Sequence, residues 1–336
     1  MLISAMPWVI IGALLWAGIF IKPKPAGATL APPLVERGDA FFGAAAADGK
    51  RLWAVGDYGK VIHSADGGAT WSKQHLDSKL HLQDVAAWDA QRLVAVGNGG
   101  AVFVSADGGG NWAARRPDVL PKTNDKLLRV KAYPGGRAWA VGEMGALLVS
   151  GDYGNTWERR RDAQDTAFND VAMLGDSAGW VVGEGGIMLR SQDGGASWSV
   201  LPPVVKSSLM AIAFRDAANG VAVGLEGVIL VTRDGGGTWT RVAAASESDP
   251  NSEVKLHFYD VAWDAAGSRW LVVGDQGAYV TSDADATLWQ AGQLGPREFA
   301  WHTRIAAGAA GFYLAGANLG EWSGKENGWH RLLGDQ

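Results

Sequence analysis

The side chains best suited to chemistry are scattered along this sequence. The histidines include no pair spaced by four residues, and none stands beside carboxylates at metal-ligand spacing. The chain has no cysteine, so it can form no disulfide, thiolate metal site or cysteine nucleophile. We therefore expect neither a metal nor a cofactor and interpret the histidines as surface residues: His63, His75, His81, His257, His302 and His330.

Two sets of charged side chains recur at fixed places and could form a binding surface. Acidic residues follow an apolar run that ends in Val-Gly, and Asn98 and Asn318 take similar places in other repeats. Arginines follow recurring tryptophans, with Arg115, Arg116 and Arg241 at matching sites. Both sets also have structural explanations, because Asp and Asn suit turns and charged outer strands discourage strand addition. The candidate partner-binding residues are Asp57, Glu143, Glu184, Glu226, Asp275, Arg159, Arg160 and Arg161.

Internal repetition explains the spacing of these residues. A glycine-rich signature occurs seven times, as LWAVGDYG, LVAVGNGG, AWAVGEMG, GWVVGEGG, GVAVGLEG, WLVVGDQG and, in a weaker form, FYLAGANLG. Successive first glycines are 41, 45, 41, 41, 50 and 42 residues apart. A four-stranded propeller blade has about 40–45 residues.

Each repeat divides into four short strands. The second strand is the run that ends in Val-Gly, the third is β-rich, as in VIHS and VFVS, and the fourth begins at a tryptophan. The tight turn between the second and third strands requires positive φ, which glycine supplies. The sequence therefore predicts an all-β fold: a seven-bladed β-propeller with four-stranded blades over residues 39–336, preceded by one N-terminal hydrophobic helix.

A second motif separates the third and fourth strands of the first five repeats. The octets SADGGATW, SADGGGNW, SGDYGNTW, SQDGGASW and TRDGGGTW match the Asp box of bacterial neuraminidase (BNR) repeats, Ser-x-Asp-x-Gly-x-Thr-Trp. The aspartate can accept backbone N–H groups, and the tryptophan can be buried between blades. The sixth octet, SDADATLW, lacks the aspartate and glycine at these positions. We assign structural roles to Asp66, Asp107, Asp152, Asp193, Asp234, Trp71, Trp112, Trp157, Trp198 and Trp239.

The composition agrees with a folded β protein. Of 336 residues, 47 are glycine and 17 are tryptophan, and 47 % are hydrophobic, which disfavours both a helical bundle and disorder. There are 30 basic and 35 acidic residues, a formal net charge of −5. This balance gives no overall attraction to polyanions, so nucleic acid is not an expected partner.

The N-terminus has a different character. Residues 1–21 carry no charged side chain and are long enough to approach the ~30 Å thickness of a bilayer core. We expect a transmembrane anchor or an uncleaved signal at 1–21 and a proline-rich tether at 22–38. Ala26-Gly27-Ala28 has the form of a processing site, so cleavage after Ala28 stays open. Lys22, Lys24 and Arg37 favour a cytoplasmic C-terminal side, although large domains can translocate regardless of nearby charge.

Strand parity assigns the candidate features to faces. In an up-down-up-down blade, the turns between second and third strands lie on the same side as the connections between blades, opposite the Asp boxes. Two connections are longer than the rest, with additional residues at 117–126 and 246–255. Variation on one face of a repeat fold indicates a binding surface. We therefore expect a partner to dock on the side that carries the acidic turns.

The combination of V-G-x-x-G, a third strand and an Asp box resembles the photosystem II stability and assembly-factor family of seven-bladed propellers over residues 39–333. The resemblance implies a non-catalytic factor on the lumenal or periplasmic side of a membrane that binds a membrane-protein precursor. For this chain it implies an assembly factor or accessory scaffold for a membrane-protein complex of the cell envelope. Together with the hydrophobic segment at 1–21, the resemblance predicts an inner-membrane anchor with the propeller on the periplasmic side.

Two alternatives stay open. A propeller with Asp boxes can bind solutes or glycans, and sialidases also carry Asp boxes. A sialidase needs an arginine triad, a tyrosine nucleophile with a glutamate partner, and an acid. Tyr58 and Tyr153 lie in turns of the repeat, and such uniform repeats leave little sequence for an asymmetric catalytic site. We expect no enzymatic activity, and the sequence does not indicate the partner's identity or the oligomeric state.

Overall fold

The chain folds into seven consecutive antiparallel sheets that form the blades of a β-propeller, as the repeat predicts. The structure is a computed structural model and describes residues 9–12, 14–16, 34–36, 38–120, 125–246, 252–309, 311–324 and 328–333. Within each blade the strands pair in chain order, from the inner strand at the central channel to the outer strand. Neighbouring blades pack face to face through their strands.

The strands of the first four blades are β1 (Phe41–Ala47), β2 (Arg51–Gly56), β3 (Val61–Ser64), β4 (Ser72–Gln74), β5 (Leu82–Ala87), β6 (Leu93–Gly97), β7 (Val102–Ser105), β8 (Ala113–Ala114), β9 (Leu127–Tyr133), β10 (Arg137–Gly142), β11 (Ala146–Ser150), β12 (Glu158–Arg159), β13 (Phe168–Leu174), β14 (Ala178–Gly183), β15 (Met188–Ser191) and β16 (Ser199–Val200).

The strands of the last three blades are β17 (Leu209–Phe214), β18 (Gly220–Gly224), β19 (Ile229–Thr232), β20 (Thr240–Val242), β21 (Ala245–Ser246), β22 (Phe258–Asp264), β23 (Arg269–Gly274), β24 (Ala278–Ser282), β25 (Trp289–Gln293), β26 (His302–Ala307), β27 (Phe312–Gly316), β28 (Leu319–Trp322) and β29 (Trp329–Leu333). Short 3-10 turns lie at Asp57–Gly59, Asn98–Gly100, Pro134–Gly136, Glu184–Gly186, Leu225–Gly227 and Asp275–Gly277.

One strand departs from the four-strand plan. β21, in the connection between blades 5 and 6, pairs in parallel with β25 and adds a fifth, outermost strand to blade 6. Of the two long connections, residues 121–124 and 247–251 fall outside the described residues. The docking prediction for those segments is therefore made on sequence alone.

The core lies between blades, where buried tryptophans of the middle strands dominate. Trp53, Trp139, Trp180 and Trp270 on the second strands are each about 1 % exposed. Of the predicted Asp-box tryptophans, only Trp157 is fully buried, and the other four are half-buried. This differs from the expected core position, because these rings lie at the outer strand, where one side of the blade faces solvent.

Packing against the preceding blade requires a glycine at the second glycine position of the Asp box. Gly195 has φ of +85°, and a Cβ there would lie 2.2 Å from the ring of Trp139 in the preceding blade. Gly236 meets Trp180 in the same way. The left-handed backbone and the tryptophan behind it both require glycine. The box thus joins its own blade to the preceding one.

The ring closes between the first and seventh blades without exchanging a strand. β1–β4 and β26–β29 are each continuous in sequence within the described chain. Tyr313 donates its hydroxyl hydrogen to the Gly67 carbonyl at 2.6 Å, and Thr303 donates to the Phe42 carbonyl at 3.2 Å. Side-chain contacts and these hydrogen bonds therefore hold the seam.

Residues 1–34 form a unit distinct from residues 35–336. Within it, residues 9–12 and 14–16 are helical. No helix in the described part of the chain has both the length and the apolar character to cross a bilayer. Most of the predicted anchor at 1–21 and tether at 22–38 lie outside the described residues.

Candidate functional site

The two ends of the propeller are built differently. One end, here called the turn face, carries the turns between second and third strands and the connections between blades. The backbone N–H groups of Gly145, Gly227 and Gly277, which lie in these turns, each donate a hydrogen bond of 2.7 Å to a carbonyl of a connection between blades. The opposite end, here called the Asp-box face, carries the boxes and the hairpins between first and second strands, where Gly67 donates to the Lys50 carbonyl at 2.9 Å. This is the arrangement that strand parity predicts.

The Asp-box aspartates tie their own turns. Asp66 accepts the Thr70 N–H at 2.8 Å and the Thr70 hydroxyl at 2.6 Å, and Ser64 donates to it at 2.8 Å. Hydrogen bonds from Thr70 and Ser64 lower the pKa of Asp66 to about 2. The same pattern recurs in the other four matching boxes, at Asp107, Asp152, Asp193 and Asp234.

The sixth box keeps an aspartate that sequence alignment misses. Asp283 accepts the Thr287 N–H at 2.6 Å and also the Thr287 hydroxyl. Trp289 donates to the Ala286 carbonyl at 3.1 Å, as Trp71 does to Gly68 at 2.9 Å. The expectation that this box lacks its aspartate is wrong, because Asp283 is one position earlier and Leu288 is inserted before the tryptophan.

Three acidic side chains of the turn face accept hydrogen bonds from backbone N–H groups. Asp57 accepts the Ala40 N–H at 3.0 Å, and Glu143 accepts the Lys126 N–H at 2.9 Å. Glu184 accepts the Ala167 N–H at 3.2 Å. Each carboxylate thus fastens its turn to the start of the inner strand. These three residues have a structural role, whatever else they bind.

The other two predicted acidic residues make side-chain contacts. Ser207 donates to Glu226 at 2.6 Å, and Tyr259 donates to Asp275 at 2.9 Å. Burial and the Asp275 carboxylate raise the pKa of Tyr259 to about 12. The five acidic residues therefore lie on one face but are divided among five blades.

The middle position of these turns holds residues of which the sequence analysis named only Glu226 as a binding candidate. Its backbone is left-handed, and glycine fills it in blades 2 and 4. Other side chains occupy it in four blades: Tyr58 at φ +52°, Met144 at +52°, Glu226 at +59° and Gln276 at +58°. Such residues cost roughly 1–3 kcal/mol of strain each and cluster at functional sites. An alignment of the repeats at the glycine position would have revealed them.

Exposed apolar side chains concentrate on the same face. The described part of the propeller has eight large hydrophobic residues classed as exposed, and six of them lie in turns or connections of the turn face. The other two are Val200 on an outer strand and Leu288 in the sixth Asp box. The six on the turn face are Tyr58, Leu80, Val119, Met144, Val204 and Phe299.

A cavity of about 510 Å³ opens on the turn face across blades 3, 4 and 5. Its walls combine the carboxylates of Glu143, Asp165 and Glu184 with the side chains of Met144 and Met210. No lysine or arginine is among the described residues that line it. The cavity is therefore negatively charged and partly apolar.

The predicted arginine cluster lies at the rim of this face. Arg159 donates to the carbonyls of Met144 at 2.9 Å and Gly145 at 3.2 Å, so it braces the turn beside the acidic cavity. Arg161 donates to the Trp198 carbonyl at 3.3 Å. Arg160 is exposed and pairs with a neighbouring carboxylate at 3.0 Å. The acidic turns and the arginines therefore adjoin in blade 3, although the sequence analysis treats them as separate surfaces.

The channel holds a buried charged cluster that sequence analysis did not identify. A bulge in the inner strands of blades 2, 4 and 6 places Asp84, Asp170 and Asp260 at equivalent positions. Each accepts a backbone N–H of the next blade, at 2.8 to 3.0 Å. Arg129 and Arg304 lie among these carboxylates. The three aspartates thus join alternate pairs of blades.

Three of the histidines have hydrogen-bonding partners. His81 contacts the Asp57 carboxylate at 2.7 Å, His257 accepts the Glu226 N–H at 3.0 Å, and His302 contacts Asn318 at 3.0 Å. The interpretation of His302 as a surface residue is wrong, because it is fully buried at the start of an inner strand, and burial lowers its pKa. The described residues include no group of three or more potential ligands that could hold a metal ion.

Known proteins of this architecture include both binding proteins and enzymes. The chain is similar to the solved structure of YCF48 bound to a D1 peptide, with 18 % identity and a TM-score of 0.66, covering 89 % of this chain and 94 % of that one. It is also similar to the structure of YCF48 from Cyanidioschyzon merolae, with 18 % identity and a TM-score of 0.64, covering 84 % of this chain and 94 % of that one. A GH74 xyloglucanase from Xanthomonas campestris is similar with 15 % identity and a TM-score of 0.60, and the match covers 82 % of this chain and 51 % of that one. These identities show a shared fold.

The family model gives the more specific result. No protein of curated function matches the sequence significantly. Residues 33–125 and 120–206 match the family described as photosynthesis system II assembly factor YCF48. Together the matches span residues 33–206, just over half of the 336 residues. The chain therefore belongs to the YCF48 family of photosynthesis system II assembly factors.

Proposed function

We propose that this chain is a non-catalytic assembly or stability factor that binds a membrane protein on its turn face. The observation that carries the proposal is the concentration of six of the eight exposed large apolar side chains on that face. Exposed apolar groups rimmed by charge mark protein-interaction sites. The structure of YCF48 with a D1 peptide supports a polypeptide as the ligand class.

The proposed location combines the N-terminal hydrophobic segment with the periplasmic or lumenal side that the family resemblance implies. The uncharged segment 1–21 anchors the chain in the inner membrane, residues 22–38 act as a tether, and the propeller works on the periplasmic side. An anchored propeller meets its partner at the membrane surface, where assembly of a membrane-protein complex takes place. Family membership supports the assembly role.

A non-catalytic mechanism agrees with the hydrogen bonds and ion pairs that the candidate carboxylates make within the propeller. The turn-face carboxylates of Asp57, Glu143 and Glu184 are engaged with backbone N–H groups. The buried aspartates of the channel are paired with arginines. The factor therefore acts by holding a segment of its partner, and its rate of action depends on binding and release.

A second candidate is binding of a glycan or solute on the Asp-box face. A cavity of about 310 Å³ lies there between blades 2 and 3, lined by Trp88, Asp89, Arg92 and Tyr153. Aromatic faces beside polar groups are typical of small-molecule sites. However, the Arg92 guanidinium lies 4.1 Å from the centre of the Tyr153 ring and would have to move before a sugar could stack there. We therefore favour the polypeptide partner.

Site-specific photo-crosslinking in intact cells tests the proposal. A photoreactive residue at Phe299, which is 70 % exposed on the turn face, is compared with one at Leu288, which is 73 % exposed on the Asp-box face. We expect a membrane-protein adduct from position 299 and none from 288. Adducts from 288 alone, or no membrane-protein adduct at 299, would reject the turn face as the docking surface.

A further inference from the structure

The most exposed aromatic side chains of the turn face and its acidic cavity lie in different blades. In blades 7 and 1, Phe299 and Tyr58 are each 70 % exposed. In the same two blades, Phe42 and Trp301 stack with ring centroids 5.8 Å apart and planes inclined by 5°. These four rings, here called the aromatic half, lie at the beginnings of β1 and β26 and in the adjacent turn and connection.

The opposite part of the face is the acidic cavity of blades 3 to 5, here called the acidic half. Its four carboxylates come from Asp125, Glu143, Asp165 and Glu184, and its apolar surface includes Met144 and Met210. Methionine is adaptable and suits surfaces that accept varied side chains. Lys126 reaches the Glu143 carboxylate at 3.6 Å, but this contact is exposed and easily exchanged for a ligand cation.

The two halves define the chemistry of an occupant. Exposed aromatic rings are typical anchors for apolar and aromatic side chains of a partner. A cavity lined by carboxylates without a lysine or arginine among its lining residues favours a cationic group, whose aliphatic stem can lie on methionine. The left-handed Tyr58 and Met144 place one large side chain in each half, at the expense of backbone strain.

We propose that the turn face binds an extended polypeptide segment with two chemical ends. Aromatic or aliphatic residues of the segment lie on the aromatic half, and lysine or arginine side chains enter the acidic half. The segment crosses the mouth of the central channel between the two. This inference rests on the proposed function and specifies the segment that the factor would hold in a membrane-protein partner.

The test uses full-length protein in lipid nanodiscs and fluorescein-labelled 16-residue peptides, with empty nanodiscs as the blank. The probe peptide has a block of phenylalanine and leucine joined by glycine and serine to a block of lysine. One comparison peptide replaces lysine with glutamate, and another replaces the apolar block with serine. We expect the probe to bind about tenfold more tightly than either comparison peptide, with weaker binding at high salt.

Matched variants assign the binding to the two halves. The pair Glu143→Gln and Glu184→Gln should weaken the probe about tenfold and reduce its salt dependence. Phe299→Ser should weaken it about tenfold at all salt concentrations. The controls on the Asp-box face are Leu288→Ser and the pair Asp176→Asn and Asp285→Asn, which should leave binding unchanged. Circular dichroism and thermal unfolding establish that every variant is folded.

The outcomes separate this inference from the proposed function. Binding of the probe that is insensitive to the turn-face variants, tighter binding of the glutamate peptide, or no binding of any peptide overturns the two-ended segment. If crosslinking at position 299 still captures a membrane protein in those cases, the proposed function stands with a partner of different chemistry. If neither peptides nor crosslinking give a product on the turn face, both are overturned.

Discussion

Arg129 in blade 3 donates a hydrogen bond to Asp260 in blade 6, with Nη2 and Oδ1 2.7 Å apart across the central channel. Its Nε also lies 3.3 Å from Asp170 and 3.7 Å from Asp84. Burial opposes the charge on this guanidinium, but the three carboxylates outweigh burial and raise the pKa of Arg129. One side chain therefore joins four blades.

Removal of this side chain should destabilise the propeller. Arg129→Ala removes the direct ion pair of Asp260, whereas Asp84 keeps Arg304 and Asp170 keeps Lys131. Breaking a buried ion pair by removing one partner costs ~3–5 kcal/mol. The exposed Arg160→Ala should change the free energy of unfolding by less than about 0.5 kcal/mol. Urea denaturation of both variants provides the comparison. Equal effects would mean that the channel cluster is not a stabilising centre.

The Asp boxes predict an acid limit to stability. Hydrogen bonds lower the pKa of Asp66, Asp193 and Asp234 to about 2, below the ordinary value of 3.8. Because the folded-state pKa is depressed, the stabilisation is complete above about pH 4 and is lost as the pH falls toward 2. NMR titration of the carboxyl carbons should give these low values. Ordinary values near 3.8 in the folded protein would contradict the assigned hydrogen bonds.

The tryptophans should differ in their effect on stability. Trp139 is 1 % exposed between blades 3 and 4, whereas Trp198 is half-buried and packs edge-on against it, with the ring planes inclined by 76°. Trp139→Ala should reduce the free energy of unfolding by ~3–5 kcal/mol, and Trp198→Ala should reduce it by less. Chemical denaturation measures both losses. A larger loss for Trp198→Ala would show that the Asp box contributes more to the core than burial indicates.

The seam between blades 7 and 1 should open before the other blade interfaces. Tyr313→Phe removes the hydrogen bond to the Gly67 carbonyl, which contributes about 0.5–1.5 kcal/mol. Hydrogen exchange should then accelerate in β1 and β26 more than in β13 and β17, because strand exchange does not close the ring. Uniform acceleration in all blades would instead indicate that the ring unfolds only as a whole.

The acidic cavity and the arginine cluster can be separated as docking surfaces. Arg159 and Arg161 support backbone carbonyls, so their replacement would alter the fold of the rim. The exposed Arg160→Glu tests the cluster without that effect. We expect it to leave partner recovery unchanged. The pair Glu143→Gln and Glu184→Gln keeps an acceptor for the backbone N–H groups of Lys126 and Ala167 but removes the charge, and it should reduce recovery. The reverse result would transfer the docking site to the arginines.

The repeat made the fold predictable from sequence. The contacts that link distant blades could not be predicted in this way. The residues Asp84, Arg129 and Asp260 are visible as equivalent positions of the inner strands, yet their meeting requires seven-fold closure of the ring. The sequence analysis did not identify Asp283 as the box aspartate, because it lies one position earlier than the motif requires, although it accepts the same hydrogen bond from Thr287. Tyr58 and Met144 could have been found, since each replaces a glycine of the repeat.

Recovery of the membrane-protein partner with full-length protein tests the central claim, docking on the turn face, most directly. The variant Phe299→Ser with Glu184→Gln changes one apolar and one acidic residue of that face, and glutamine keeps an acceptor for the Ala167 N–H. Its matched control, Leu288→Ser with Asp285→Asn, makes the corresponding chemical changes on the Asp-box face. Quantitative mass spectrometry of the co-purified membrane protein should show a loss of at least about tenfold for the first variant and none for the control. Unchanged recovery with the first variant and loss with the control would contradict the account.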